Sequence, residues 1–128
     1  MIDTRAVGRA GEDAARDYLV KNGYRILHRN FRYGRYGEID IIASKSGVVC
    51  FIEVKSRGGA GFGTPAEAVN RAKRKKILAV ANHFLRVGGV RGQKLRFDVI
   101  EVYFSHGSPP ETLRGVREIR HIENAFGE

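Results

Sequence analysis

The sequence predicts an α/β fold whose core has the order α-β-β-β-α-β, with a mixed sheet flanked by helices. Two segments, residues 4–22 and 64–86, carry apolar residues at helical spacing. Three segments of strand length lie between them, and a fourth follows the second helix. A meander of three strands followed by a helical crossover implies both antiparallel and parallel pairs. We expect residues 1–128 to form one domain, because the chain has an ordinary single-domain length.

The first helix, residues 4–22, ends before Gly23, which suits the position that follows a helix C-terminus. One face of this helix carries three small residues, one acidic residue and one leucine. They are Gly8, Gly11, Ala15, Glu12 and Leu19. A glycine inside a helix costs about 1 kcal/mol relative to alanine. We therefore expect another backbone to pack closely against Gly8 and Gly11.

The first three strands are predicted for residues 24–31, 38–43 and 48–55, with a glycine-rich turn at 33–37 and a tight loop at 44–47. The strand at 48–55 is the most apolar and should lie at the centre of the sheet. Residues 58–63 are too rich in glycine for regular structure, so a mobile loop is expected at about 57–63.

The second helix begins with a capping box, in which Thr64 is the N-cap, Pro65 the first helical residue and Glu67 the reciprocal partner. It should end near Arg86, because two glycines follow. The remaining elements are a fourth strand, a short fifth strand and a weakly structured tail, expected at residues 95–104, 116–122 and about 123–128.

The composition favours a polyanionic partner. Lysine and arginine total 23 against 14 acidic residues, a formal net charge of +9. This surplus favours a nucleic acid, although a basic protein without such a partner has the same composition. No apolar run approaches the roughly 20 residues that span a bilayer, so no membrane association is expected. A single cysteine, Cys50, and an N-terminal segment interrupted by charges favour a cytoplasmic protein.

Charged side chains interrupt the apolar pattern of two predicted strands. Because side chains alternate along a strand, Asp40 shares a face with Ile42, and both Glu53 and Lys55 share a face with Phe51. The tight loop makes these strands antiparallel neighbours, and the expected register places Asp40 within one position of Phe51 and diagonal to Glu53. Two close carboxylates are costly to desolvate, and a divalent cation would relieve their repulsion.

Each charge also has a structural interpretation. Glu12 can be solvated on its helix, and Lys73, at the centre of the apolar stripe of the second helix, can extend into solvent. Asp40 can cap a turn, and the charges at Glu53 and Lys55 can protect a sheet edge from pairing. The convergence of all these charges on one sheet face favours a functional site.

Two motifs resemble the PD-(D/E)XK nuclease superfamily, whose core also has the order α-β-β-β-α-β, the restriction endonuclease-like fold. They are Gly-Glu-Ile-Asp at residues 37–40 and Phe-Ile-Glu-Val-Lys at residues 51–55. A closer resemblance, to the uncharacterised YraN-like bacterial family, is carried by Gly-Glu-Asp at 11–13, Asn-Phe-Arg at 30–32 and Arg-Phe-Asp-Val at 96–99. Ile39 stands where the superfamily name has proline, a widespread variation.

The resemblance implies a metal-dependent nuclease site. It makes Asp40 and Glu53 the metal-binding carboxylates, with the backbone carbonyl of Val54 as a third ligand. Lys55 would position or deprotonate the attacking water and stabilise charge on the phosphate. Two further residues correspond to the acid of the first helix and the auxiliary residue of the second, namely Glu12 and Lys73.

An all-oxygen ligand set favours Mg²⁺ or Mn²⁺ over zinc. Five of the six residues at 71–76 are basic, and all but Lys73 are expected away from the apolar stripe. We expect phosphates to contact a basic surface formed by Arg57, Arg71, Arg74, Lys75, Lys76, Arg32 and Arg35.

Three functions are compatible with these features. The first is a nuclease that hydrolyses phosphodiester bonds of DNA, including branched or flapped DNA. The second is a nucleic-acid-binding module of the same fold that does not cleave, and the third is a protein-interaction domain whose basic face meets an acidic partner. The complete set of Asp40, Glu53 and Lys55 favours the first. DNA is favoured over RNA, and the oligomeric state, with a dimer among the alternatives, is left open.

Overall fold

The computed structural model describes residues 4–57, 71–106 and 113–125. These residues form two helices, five strands and one 3₁₀ turn: α1 (Thr4–Lys21), β1 (Arg25–Arg32), the 3₁₀ turn (Gly34–Tyr36), β2 (Glu38–Lys45), β3 (Val48–Arg57), α2 (Arg71–Gly88), β4 (Lys94–His106) and β5 (Leu113–Ile122). The predicted order α-β-β-β-α-β, followed by a last strand, is confirmed. The capping box at residues 64–67 and the loop expected at 58–63 lie outside the described residues.

The five strands form one sheet in the order β1-β2-β3-β4-β5. The β3–β4 pair is parallel, and the other three pairs are antiparallel. The sheet is therefore mixed, as predicted, and β3 lies at its centre. A parallel pair needs a crossover connection, and α2 lies between β3 and β4 in the chain.

The two helices cover opposite faces of the sheet. Ala15 and Leu19 of α1 belong to one buried cluster together with Ile41 and Ile52. A second cluster joins Val80 and Phe84 of α2 to the alternate residues of the same strands, Ile42 and Phe51. Because successive strand residues point to opposite faces, the two clusters lie on opposite sides of the sheet. No helix in the described ranges is long and apolar enough to cross a bilayer.

The turn between β2 and β3 is shorter than predicted. The strands extend to Lys45 and resume at Val48, so only Ser46 and Gly47 connect them. Both have positive φ, 51° and 77°, which is typical of a two-residue type I′ turn.

This turn sets a register that differs from the expected one. Ile42 pairs with Phe51 and Ile41 with Ile52, so extending the register by one pair places Asp40 opposite Glu53. The expectation that Asp40 lies within one position of Phe51 is therefore wrong. The observed pairing ends at Ile41 and Ile52, one residue before Asp40 on β2 and one residue before Glu53 on β3.

The glycines of α1 differ in their surroundings. A Cβ on Gly11 would collide with Ser56 Oγ and lie 3.2 Å from Ser56 Cβ. The close approach expected at Gly11 is thus confirmed, and the Ser56 hydroxyl donates a hydrogen bond to the Val7 carbonyl (3.2 Å). At Gly8, no heavy atom of the described residues lies within 4 Å of the same position, so the expectation of close packing there is wrong.

The two glycines therefore make a matched pair of variants. Gly8→Ala should stabilise the protein by about 1 kcal/mol, because alanine has the higher helix propensity. Gly11→Ala should destabilise it by about 1–3 kcal/mol, because overpacking against Ser56 outweighs that gain. Urea unfolding of both variants measures the difference. Equal stabilisation by the two substitutions would show that α1 does not need the close approach at Gly11.

The end of the described chain is more ordered than predicted. β5 begins at Leu113, and residues 123–125 form a turn after it. The Asn124 amide donates to Asp98 Oδ1 (3.0 Å), and the Ala125 amide donates to the Phe97 carbonyl (2.7 Å). Asp98 is buried and also accepts hydrogen bonds from Arg96 and contacts His121 Nε2 at 2.7 Å. The first part of the predicted tail is thus bound to β4.

Candidate functional site

The strands β2 and β3 separate at Asp40. Their backbone pairing ends with Ile41 and Ile52, whereas β2 continues to pair with β1 as far as Glu38. Asp40 Oδ2 accepts a hydrogen bond from the Val54 amide at 2.8 Å. The Asp40 side chain therefore accepts the hydrogen bond of a β3 backbone amide at a point where the backbone of β2 no longer pairs with β3.

An open pocket with an empty volume of about 320 Å³ lies at this separation. Its lining includes three acidic residues of β2 and β3, Glu38, Asp40 and Glu53, together with Lys73 of α2. The structure thus brings together Asp40, Glu53 and Lys73 and adds Glu38, which the sequence analysis did not assign to the site. The alternation of Glu38 and Asp40 on one strand was the signal that could have identified it.

The carboxylate of Glu53 has two very different oxygens. Oε1 lies 2.9 Å from Lys73 Nζ and 3.1 Å from Lys55 Nζ. Oε2 is buried and accepts no hydrogen bond from the described residues. Burial raises the pKa of Glu53, but the hydrogen bond from Lys73 and the charge of Lys55 outweigh this effect, and the pKa lies below its usual value. Glu53 is therefore an ionised carboxylate, and among residues 4–57, 71–106 and 113–125 its Oε2 has no hydrogen-bond donor.

Asp40 is surrounded by negative charge. Burial raises the pKa of Asp40 from an ordinary value of 3.8 to about 7, and the charges of Glu12, Glu53 and Glu38 act in the same direction. The hydrogen bond from the Val54 amide opposes this shift. The protonated form of Asp40 is therefore favoured well above the pH at which a solvated aspartate ionises. Two of these acids have arginine partners, since Arg29 lies 3.9 Å from Glu12 and Arg32 lies 3.6 Å from Glu38.

Glu12 approaches this charge cluster from α1. Asn30 Nδ2 donates a hydrogen bond to Glu12 Oε1 (3.0 Å), and the side chain of Glu12 is 21% exposed. Asn30 has a φ of 54°, a left-handed conformation that asparagine tolerates better than most residues. Glu12 is thus held in place instead of being freely solvated, and its charge contributes to the raised pKa of Asp40.

The predicted ligand set would need additional ligands. No three His, Cys, Asp or Glu side chains within residues 4–57, 71–106 and 113–125 group closely enough to hold a metal ion by themselves. The predicted set has only two carboxylates and the Val54 carbonyl, so water and phosphate oxygens would complete it. Mg²⁺ is usually bound in this way in proteins. Asp98 also borders the pocket, but Arg96 and His121 bind its carboxylate.

The predicted basic surface is only partly exposed. Six of its members have exposed or half-exposed side chains, namely Arg32, Arg35, Arg71, Arg74, Lys75 and Lys76. Arg57 differs, because its side chain is only 11% exposed and its Nε lies 3.6 Å from Glu101 Oε2. Glu101 is itself buried, and a buried carboxylate needs a counter-charge. Arg57 is therefore less accessible to a phosphate than the other six residues, and its contact with phosphate stays a prediction.

Comparison with known proteins identifies the family. The model of the uncharacterised protein family UPF0102 matches residues 11–102. A UPF0102 protein of Acetivibrio thermocellus is 46% identical over 123 residues, covering 95% of this chain and 92% of the relative. One of Rhodococcus opacus is 40% identical over 126 residues, covering 98% and 100%. These matches confirm the YraN-like resemblance, and the chain belongs to the uncharacterised protein family UPF0102.

Proposed function

We propose that this protein is a metal-dependent nuclease that hydrolyses phosphodiester bonds of DNA. The observation that carries the proposal is Oε2 of Glu53, which is buried beside Asp40 at the separation of β2 and β3 and accepts no hydrogen bond from any residue that the structure describes. An ionised carboxylate oxygen without a hydrogen bond is costly to bury unless a cation or another donor binds it. The motif resemblance to the PD-(D/E)XK superfamily points to the same two carboxylates.

The residues of the site fit Mg²⁺ or Mn²⁺. Carboxylate oxygens are the ligands that these ions prefer, and Asp40, Glu53 and the Val54 carbonyl would hold the ion. Burial, and after it the charges of the neighbouring carboxylates, raise the pKa of Asp40, and a bound divalent cation would favour the ionised form. When bound, such an ion lowers the pKa of a coordinated water and stabilises charge on a phosphate.

The two lysines have different roles in this proposal. Lys55 Nζ lies 3.1 Å from Glu53 Oε1, so its charge is next to the place where a phosphate would develop negative charge. Lys73 reaches the same oxygen from α2 and holds the Glu53 carboxylate in one orientation. With Oε1 occupied by both ammonium groups, Oε2 is the oxygen left for the ion. Glu12 adds negative charge from α1.

A cleavage assay tests the proposal directly. The intact protein is incubated with labelled blunt duplex, flapped DNA, four-way junctions and matched RNA, each with Mg²⁺, Mn²⁺ or EDTA. We expect cleavage of at least one DNA substrate that requires the metal and stops with EDTA. A protein that binds these substrates but leaves all of them intact with both metals would instead be the non-catalytic nucleic-acid-binding module.

The exposed lysines of α2 support nucleic-acid binding in either case. Lys75→Ala and Lys76→Ala should each weaken DNA binding and reduce the slope of log Kobs against log salt by about one unit per lost phosphate contact. Lys21→Ala, an exposed lysine at the end of α1, is the control and should leave both quantities unchanged. Fluorescence anisotropy across a salt series measures them. An unchanged slope in both α2 variants would remove this surface from the interface.

We also propose a reducing compartment such as the cytoplasm, from the cysteine usage of the chain. Cys50 is the single cysteine, and it is buried and free. Burial raises the pKa of its thiol to about 11, so little reactive thiolate forms at neutral pH. The thiol therefore acts as a small apolar core group.

A further inference from the structure

Three aromatic rings form a stack that joins the 3₁₀ turn to α2. The rings of Tyr33 and His83 are nearly parallel, with centroids 3.8 Å apart and an interplanar angle of 9°. Tyr36 stacks on Tyr33 at 5.2 Å and 24°. The outer ring, Tyr36, is 40% exposed, whereas Tyr33 and His83 are half-buried. We call Tyr36, Tyr33 and His83 the aromatic stack.

The backbone holds the aromatic stack in a fixed position. Tyr36 lies in the 3₁₀ turn, where its amide donates to the Tyr33 carbonyl (3.0 Å). The Tyr33 amide donates to the Gly37 carbonyl (3.0 Å), and Gly37 has a φ of 112° that favours glycine. Because the stack connects this turn to α2 and is already ordered, a ligand that binds on Tyr36 would not need to order it.

The aromatic stack lies within reach of the pocket. Asp40 is four positions after Tyr36 in the chain, and four extended steps span at most about 14 Å. On α2, His83 is six residues after Ile77, which lines the pocket, and this separation corresponds to about 9 Å along the helix. A strand of a few nucleotides spans such distances.

Positive charge accompanies the exposed ring. Arg35 is the neighbour of Tyr36 in the 3₁₀ turn and is exposed. Arg32, at the end of β1, is 67% exposed and lies 3.6 Å from Glu38 of the pocket. Surfaces that bind single-stranded nucleic acids combine exposed aromatic rings, on which bases stack, with cations that contact phosphates, and this part of the chain supplies both residue types.

We propose that the aromatic stack binds an unpaired nucleobase through the outer face of Tyr36, so that the substrate class is nucleic acid with a single-stranded segment beside the scissile phosphate. A base inside a duplex is already stacked on both faces, whereas an unpaired base offers a free face. This inference rests on the proposed function for the position of the phosphate. Binding at Tyr36 itself does not require cleavage.

Binding without metal tests the proposal. The probes are a blunt DNA duplex and the same duplex with a five-nucleotide single-stranded overhang that carries one 2-aminopurine. The wild-type protein should bind the overhang duplex more tightly and quench its 2-aminopurine fluorescence, because an aromatic ring stacks on the base. Equal affinity for the two probes, or no quenching, would overturn the proposal without any variant.

Two substitutions separate stacking from a structural role. Tyr36→Leu should weaken binding of the overhang duplex about tenfold, while Tyr36→Phe, which keeps the ring, should bind like the wild type. Neither should change the salt slope, because no phosphate contact is lost. If Tyr36→Leu binds the overhang duplex as tightly as the wild type does, the ring only holds the 3₁₀ turn against α2. Thermal unfolding confirms that both variants are folded.

The failure of this inference is distinguishable from the failure of the proposed function. A protein that quenches the base and responds to Tyr36→Leu but never cleaves would keep the stacking site and lose the nuclease. A protein that cleaves blunt duplex and overhang equally, with no effect of Tyr36→Leu on binding, would keep the nuclease and lose the stacking site.

Discussion

Asp40→Asn should abolish metal-dependent cleavage, with a loss of at least about 10²–10³-fold. Asparagine is nearly isosteric and its carbonyl oxygen can still accept the hydrogen bond from the Val54 amide, so the separation of β2 and β3 should persist. What disappears is the negative charge that would hold the ion. Initial cleavage rates at saturating Mg²⁺ and Mn²⁺ measure the effect.

Asp17→Asn is the matched control for this variant. Asp17 is an exposed residue of α1, paired with its neighbour Arg16, and its substitution should leave the rate unchanged. DNA binding by Asp40→Asn should stay within a few-fold of the wild type, since the exposed basic residues are intact. Cleavage at the wild-type rate by Asp40→Asn would contradict the assignment of Asp40 to the site.

The metal-free protein should lose stability as the pH rises from about 4 to 7, because the Asp40 carboxyl ionises in this range. The pKa of Asp40 is raised from 3.8 to about 7, so between these values the folded protein binds a proton that the unfolded chain has released. The stability from protonated Asp40 is thus fully present below 3.8 and lost as the pH passes 7. At 1.36 kcal/mol per pKa unit, the loss amounts to about 4 kcal/mol.

Comparison with Asp40→Asn isolates this effect from other titrating groups. The variant has no carboxyl at this position, so its free energy of unfolding lacks this pH dependence. As the pH rises, the wild type should therefore become less stable relative to the variant. Mn²⁺ should narrow this difference at pH 8, because it should stabilise only the wild type, by about 2.7 kcal/mol at a hundredfold excess over Kd. Chemical unfolding at pH 5 and pH 8, with and without Mn²⁺, measures both effects. A constant difference across pH, with no effect of the metal, would make Asp40 a structural residue.

The order of helices and strands could be predicted because it depends on local periodicity. Apolar spacing distinguished the helices from the strands, and the length of the connection between β3 and β4 implied the parallel pair. The register of β2 against β3 was less accessible. It depends on a two-residue turn with Ser46 at positive φ, and serine gives little indication of that conformation.

The charged residues of the candidate site could be identified from the alternation of side chains along the strands and from the motifs. The groups that contact them in the folded protein could not. Alternation placed Asp40 and Glu53 on corresponding faces, yet only the structure places Asp40 next to a backbone amide and Glu53 next to two ammonium groups. The burial of Arg57 depends on Glu101, which is 44 residues away in the chain. The stacking of Tyr33 on His83 joins residues 50 apart. Local patterns do not reveal such long-range contacts.

The hydrogen bond between Asp40 and the Val54 amide has a spectroscopic consequence. Because the acceptor is a titrating carboxylate instead of a backbone carbonyl, the resonance of this one amide proton should follow the charge on Asp40. A neutral carboxyl is a weaker acceptor than a carboxylate, so the proton should shift downfield as Asp40 ionises. Val54 belongs to the central strand of the sheet. Nuclear magnetic resonance of this single amide would therefore report ionisation and ion binding at the site in a protein that is given no substrate at all.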